Sequence, residues 1–201
     1  MKSAFAKYVV GTITFALATG LFGCTGGDSG GDLYLQNMND FSYGGRRDKV
    51  IGTSASGETV KLSQYSGKFV WVDFSAPWCG PCRSQASVIK NLESRYTDRV
   101  VFLTLMTSDN SPREPATVQT ALAWAKQYGL DPRHVMTSSE RTRVIPTHLV
   151  FSPAGQTLYF ESGVHSESLI KSRLAGMMRE WNTWRADNEG SISVLLSDIE
   201  G

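Results

Sequence analysis

From about Phe41 apolar and polar positions fall into the regular periods of a globular chain. Thr59-Val60-Lys61-Leu62 alternates as a half-buried strand does, and a turn at Ser66-Gly67 follows it. From Lys68 to Phe74, Phe69, Val70, Trp71, Val72 and Phe74 make a nearly continuous apolar run, the pattern of a strand covered on both faces. Ala86, Ile89 and Leu92 recur at helical spacing, so a helix is expected from about Pro81 to Tyr96. A second buried strand follows at Arg99 to Met106. A second helix is expected from Pro115 to Tyr128, with the proline in its first turn and Gly129 closing it. Thr147 to Phe151 and Thr157 to Ser162 read as strands joined by the turn Ser152-Pro153-Ala154-Gly155, which makes a hairpin. A last helix is expected from Ser166 to Trp184. The order β-α-β-α-β-β-α predicts an α/β fold, a central sheet with helices on its faces and an antiparallel edge. Beyond Arg185 the tail is polar and then apolar at Ile192 to Leu196, which suits either an added strand or loose docking.

Composition narrows the function classes. The 201 residues carry a formal net charge of +1, so no surplus of Lys and Arg exists to neutralise a nucleic-acid backbone. No window reaches the roughly 18 apolar residues of a spanning helix. Three cysteines are too few for a disulfide scaffold. Two of them, Cys79 and Cys82, form a CxxC, while Cys24 stands alone near the N-terminus.

The first residues read as an export signal. Lys2 and Lys7 precede an apolar run from about Tyr8 to Phe22 that ends in Leu21-Phe22-Gly23-Cys24. That ending resembles the bacterial lipoprotein signal, which implies cleavage before Cys24 and a diacylglycerol on its sulfur. Thr25 to Asp32, rich in Gly, Ser and Asp, then reads as a flexible tether between a lipid anchor and the folded part. The expected organisation is a signal peptide at 1–23, a tether at 24–40, a folded domain at 41–185 and a tail at 186–201. An ordinary secretory signal or an uncleaved anchor is the plainer alternative.

The candidate chemistry sits in Trp78-Cys79-Gly80-Pro81-Cys82, where a buried strand passes into a helix. At a helix N-terminus, unpaired N–H groups and the macrodipole stabilise a thiolate. A thiol of pKa ~8.5 is only about 3% thiolate at pH 7, and lowering it to ~7 raises that to about half. Nucleophilicity falls along with pKa, so attack gains only about three- to fourfold; the larger benefit is Cys79 as a leaving group when Cys82 resolves a mixed disulfide. Pro81 suits the first helical turn, and Gly80 lets a partner chain approach. A structural zinc site would need a second pair of ligands, and His134, His148 and His165 lack metal-ligand spacing. No cofactor is expected beyond the redox-active pair Cys79–Cys82, and no metal.

WCGPC resembles the active-site motif of the thioredoxins letter for letter, and two further positions extend the resemblance. Asp73, six residues before Cys79, matches their buried carboxylate, which assists proton transfer at the second cysteine; burial in so apolar a strand should raise its pKa. Ile145-Pro146-Thr147 matches their cis-proline loop, which implies that the Ile145 backbone lies against the CxxC and pairs with a substrate strand. Trp78 is implied to shield the disulfide and share in docking. Thioredoxins also keep a Lys beside the Asp from the next strand, and Val101 to Met106 offers none. His148 has no evident task and reads as structural.

The resemblance covers about residues 50–182 and implies a thioredoxin fold with a mixed central sheet. The Val60 to Tyr65 segment, a short N-terminal strand extension, and the stretch Asp131-Pro132-Arg133-His134, together with the anchor, resemble the membrane-tethered TlpA/ResA group. That group implies reduction of protein disulfides outside the cytoplasm, often in apocytochrome c, with electrons from a membrane thiol transporter of the DsbD/CcdA kind. Gly-Pro within the motif and Ile before the proline match reducing members. The alternatives are a periplasmic oxidase or isomerase, a peroxidase, whose motif needs a Thr where Ala76 stands, and a binding module with an idle dithiol.

Overall fold

A computed structural model describes residues 50–137 and 144–187. Within them run β1 (Val50–Ser54), β2 (Thr59–Lys61), a 3-10 turn (Leu62–Tyr65), β3 (Phe69–Ser75), α1 (Gly80–Glu93), β4 (Val100–Met106), α2 (Val118–Tyr128), β5 (Val135–Thr137), β6 (Thr147–Phe151), β7 (Thr157–Ser162) and α3 (Glu167–Asp187). The strands form one sheet in the order β2-β1-β5-β4-β3-β6-β7. β3, β4 and β5 are parallel neighbours, and the other pairings are antiparallel. This is the thioredoxin fold with a mixed sheet.

β3 and β4 are central because every one of their residues is buried. Side chains alternate faces along a strand. Phe69 and Trp71 of β3, with Val100, Phe102 and Met106 of β4, point into a cluster with Ala86, Ile89 and Leu92 of α1, Ala121, Trp124 and Ala125 of α2, and Ile170 and Leu174 of α3. Val70, Val72, Phe74, Val101, Leu103 and Leu105 point to the other face, with Ile51, Val60 and Leu62.

The hairpin β6–β7 has the expected bounds. The end of α1 and the start of α2 differ. α1 ends at Glu93, where Ser94 takes over as C-cap, short of the expected Tyr96. α2 begins three residues after Pro115: Thr117 is the N-cap, its hydroxyl accepting from Thr120 N–H while its own N–H donates to Thr120 Oγ1. A reciprocal cap of this kind outweighs the weak preference for proline in a first turn. Gly129 closes α2 in the left-handed region, with φ of 66°.

β1 and β5 were not expected. β5 has only three residues, too few for a period to show, and β1 mixes Gly, Thr and Ser with two apolar residues. The Asp131 to His134 stretch is the connection from α2 into β5, fastened by the Arg133–Asp131 ion pair and by Thr104 N–H donating to His134 O at 2.8 Å. α3 runs to Asp187, past the expected domain limit at 185. Cys24, the expected signal and tether, and the tail beyond Asp187 lie outside the described residues.

Candidate active site

Cys79 is the N-cap of α1, and Gly80 and Pro81 are its first two helical residues. The cap places Cys79 Sγ 3.2 Å from Cys82 N–H, so one of the helix's unpaired donors aims at that sulfur. Cys79 and Cys82 are joined as a disulfide. The two sulfurs are unequal: Cys79 keeps 4% exposure at the surface end, while Cys82 is wholly buried behind it. Gly80 and Pro81 are exposed beside Cys79, and a Cβ at Gly80 would meet nothing within 4 Å. Among the described residues no contact requires glycine there.

Two loops complete the mouth. Trp78 is 40% exposed and its indole N–H donates to Ser108 Oγ at 2.9 Å, which ties the tip of the β3–α1 loop to the end of β4. Arg83, one turn into α1, reaches back with Nε and Nη2 to Pro77 O at 3.1 and 2.8 Å. From the other side comes the loop before β6. The Ile145–Pro146 bond is cis, and Ile145 O lies 3.8 Å from Cys79 Sγ. A disulfide sulfur has no proton to give, so this is a contact and not a hydrogen bond in the oxidised state. Thr147 Oγ1 donates to Val144 O at 2.6 Å and accepts from Ser162 Oγ at 2.7 Å, while Gly163 N–H donates to Pro146 O at 2.8 Å. The loop is thereby fastened to β7. Exposed Trp78 and Val144 contribute apolar surface to the two loops.

Asp73 lies beneath. It is wholly buried on β3, on the same face as Trp71 and therefore on the side of the sheet where Cys82 packs. Desolvation pushes its pKa up to about 7, opposed in part by the Ser75 hydroxyl, which donates to Oδ2 at 2.8 Å. On β4 the residue in register with Asp73 is Thr104, so no cation reaches it from that strand.

The structure therefore brings Cys79, Cys82, Trp78, Gly80, Pro81, Ile145, Pro146 and Thr147 to one end of the sheet, with Asp73 under them. Sequence reasoning missed His148, in register with Asp73 across β3–β6 and wholly buried. It also missed the His165 ring, 4.1 Å from the His148 ring. Tyr159 OH lies 2.7 Å from His165 Nε2 and also bonds Glu161, and Gln85 of α1 accepts the His165 N–H. A histidine two places after an expected cis-proline, in an otherwise largely apolar strand, was the available signal. Among the described residues, no group of three or more His, Cys, Asp or Glu is arranged to hold a metal ion.

The comparisons agree with this geometry. The thioredoxin family model matches residues 55–120. Thioredoxin of Synechocystis sp. is 33% identical over 105 residues, which are 52% of this chain and 76% of that one. Among solved structures, an exposed lipoprotein thioredoxin from Streptococcus pneumoniae superposes with a TM-score of 0.52 at 24% identity, over 62% of this chain and 96% of its own. A secreted Mycobacterium tuberculosis disulfide oxidoreductase, homologous to DsbE of E. coli, superposes with a TM-score of 0.50 at 18% identity, over 65% of this chain and 97% of its own. The two structures share the fold; the Synechocystis relative, matched over most of its length, carries the kinship: this chain belongs to the thioredoxin family of thiol–disulfide oxidoreductases.

Proposed function

We propose that the chain reduces disulfides in protein clients outside the cytoplasm, with Cys79 as nucleophile, Cys82 as resolving thiol and Asp73 as its acid–base partner. The observation that carries this reading is the asymmetry of the pair, one sulfur at a helix cap with an N–H aimed at it and the other buried. In the reduced state Cys79 thiolate attacks a client disulfide, one client sulfur leaves as thiolate, and Cys79 is joined to the other. Cys82 loses its proton to Asp73 and attacks Cys79, the second client sulfur leaves, and the chain is oxidised as the client is reduced. Trp78, Gly80, Pro81 and the Ile145–Pro146–Thr147 step form the docking surface. An extended client segment pairs with the Ile145 backbone, and the absence of a side chain at Gly80 gives it room.

Recharging requires a second dithiol, and a membrane thiol transporter of the DsbD/CcdA kind suits a domain held at a membrane; apocytochrome c is a fitting client. The sequence ending at Cys24 supports a lipid anchor, and the pneumococcal and mycobacterial neighbours are described as an exposed lipoprotein and a secreted protein. Among the described residues no helix is long and apolar enough to cross a membrane.

The deciding measurement is the redox potential of the Cys24→Ser chain, whose only thiols are Cys79 and Cys82, equilibrated with dithiothreitol or glutathione buffers. A value on the order of −230 mV or lower is expected, and one above about −150 mV would make the chain an oxidase or isomerase. Grown in a bacterium with labelled fatty acid, the unmodified chain should take up the label and the Cys24→Ser variant should not; an unlabelled unmodified chain removes the Cys24 anchor from this reading.

A further inference from the structure

Only one of the two carboxyl oxygens of Asp73 is satisfied. Oδ2 accepts from Ser75, while Oδ1 is buried with no hydrogen-bond partner among the described residues. His148 Nδ1 stands 3.5 Å from Oδ1. The protonation of that ring follows from its other neighbours. Nε2 lies 3.1 Å from Gly163 O, which can only accept, so Nε2 carries the ring's proton. Nδ1 lies 3.2 Å from the indole N–H of Trp71, which can only donate, so Nδ1 presents a lone pair.

An ionised Asp73 would set a negative oxygen beside that lone pair. A neutral carboxylic acid sets no negative charge against that lone pair, which the Trp71 N–H already fills. The separation is within ion-pair reach, yet putting a proton on Nδ1 would cost the Trp71 hydrogen bond, and an unmatched buried donor is expensive. The pair is a neutral acid beside a neutral base. Burial acts in the same sense on both, raising Asp73 to about 7 and holding His148 down to about 3.

Few other charges compete. β4 has no ionisable residue, and α1 contributes Cys79, Cys82 and the neutral Gln85 from its buried side. His165 lies behind His148 with its Nδ1 also directed at Gly163 O; Glu161, near His165, is paired with Arg173 of α3.

We propose that His148, fixed by Trp71 and Gly163, is a positioning residue that keeps Asp73 in its neutral acid form while Cys79 and Cys82 are joined, so that the disulfide opens with a proton at hand. The proposal rests on the reading of Asp73 as the acid–base partner of Cys82. In the step served, a thiolate of a donor protein dithiol attacks Cys79 Sγ and the Cys79–Cys82 bond breaks. Cys82 leaves with the electron pair and takes the proton of Asp73. The second donor thiol then displaces Cys79, which completes the two-electron reduction.

The test is a titration of the Asp73 side-chain carboxyl carbon by NMR in the oxidised chain, beside Trp71→Phe and His148→Gln. Losing the indole N–H frees Nδ1 to take a proton and pair with an ionised Asp73. A Gln amide can turn an N–H toward Oδ1. Each variant should lower the Asp73 midpoint by about one pH unit, the worth of one hydrogen bond. Unchanged midpoints in folded variants overturn the proposal. The unmodified chain gives an independent reading through the ring nitrogens of His148. Nδ1 should stay unprotonated while Asp73 titrates, and a proton appearing on Nδ1 as Asp73 ionises overturns the proposal even if neither variant folds. Asp73→Asn tests the underlying reading separately. If it leaves the rate and pH profile of disulfide opening unaltered, Asp73 is not the acid, whatever its midpoint does.

Discussion

Cys79 and Cys82 are the same side chain in two surroundings, and the difference decides which one meets a client. Cys79 caps α1 and accepts the Cys82 N–H, while Cys82 is wholly buried. Replacing Cys82 by Ser should therefore preserve attack and abolish resolution: covalent adducts with an oxidised protein accumulate on non-reducing gels and turnover falls to background. Cys79→Ser should give neither adduct nor turnover. Adducts that form through Cys82 in the Cys79→Ser chain would reverse the assignment. At this scale the legible part was what adjacency encodes, namely the WCGPC string, Asp73 six residues upstream and Pro146 before a strand. His148, Ser108 and Arg83 were not legible because their roles depend on which residue lies across a strand or one helical turn back. The register Asp73↔His148 is a property of β3–β6 pairing; the local sequence marks His148 as a polar residue in a largely apolar strand but not the carboxylate it faces.

Elements were legible in proportion to length and regularity. β3 and β4, seven residues each and buried throughout, announce themselves as apolar runs, and β6 and β7 are framed by a turn. β1 is held between β2 and β5, and β5 between β1 and β4, so neither carries a signal strong enough to stand alone. Their contact depends on one glycine. A Cβ at Gly52 would come within 2.1 Å of Thr137 O and 3.0 Å of Thr137 C, both backbone atoms that cannot swing aside. Gly52→Ala must therefore push β1 from β5, at a cost of about 1–3 kcal/mol by analogy with overpacked cores. The expected result is a lower urea midpoint and faster amide exchange in β1, with the potential of Cys79–Cys82 unchanged because the site is held by β3, α1 and β6. A wild-type midpoint would mean that β1 does not pack on β5 as described.

For the molecule as a whole, the buried pair Asp73–His148 ties stability to pH in two opposed ways. Asp73 has its pKa raised from 3.8 to about 7, chiefly by burial, so between those values the folded chain holds a proton that the unfolded chain has lost. That makes stability fall as pH rises. His148 is lowered from 6.5 to about 3, again chiefly by burial, so between those values the unfolded chain holds a proton that the folded chain refuses. That makes stability rise with pH. From about pH 4 to 6.5 each state of the pair holds one proton, and the two slopes, each at most about 1.4 kcal/mol per pH unit, cancel. His165, also lowered by burial, tilts the resulting plateau upward with pH. Removing either partner should expose the other. Asp73→Asn leaves the histidine slope, so urea-derived stability should decline as pH falls from 6.5 toward 3. His148→Gln leaves the carboxyl slope, so stability should decline as pH rises from 4 toward the Asp73 midpoint. Parallel pH profiles for the parent and both variants would mean that neither group departs from its unfolded-state titration, and the buried acid would lose its physical basis along with the chemistry assigned to it.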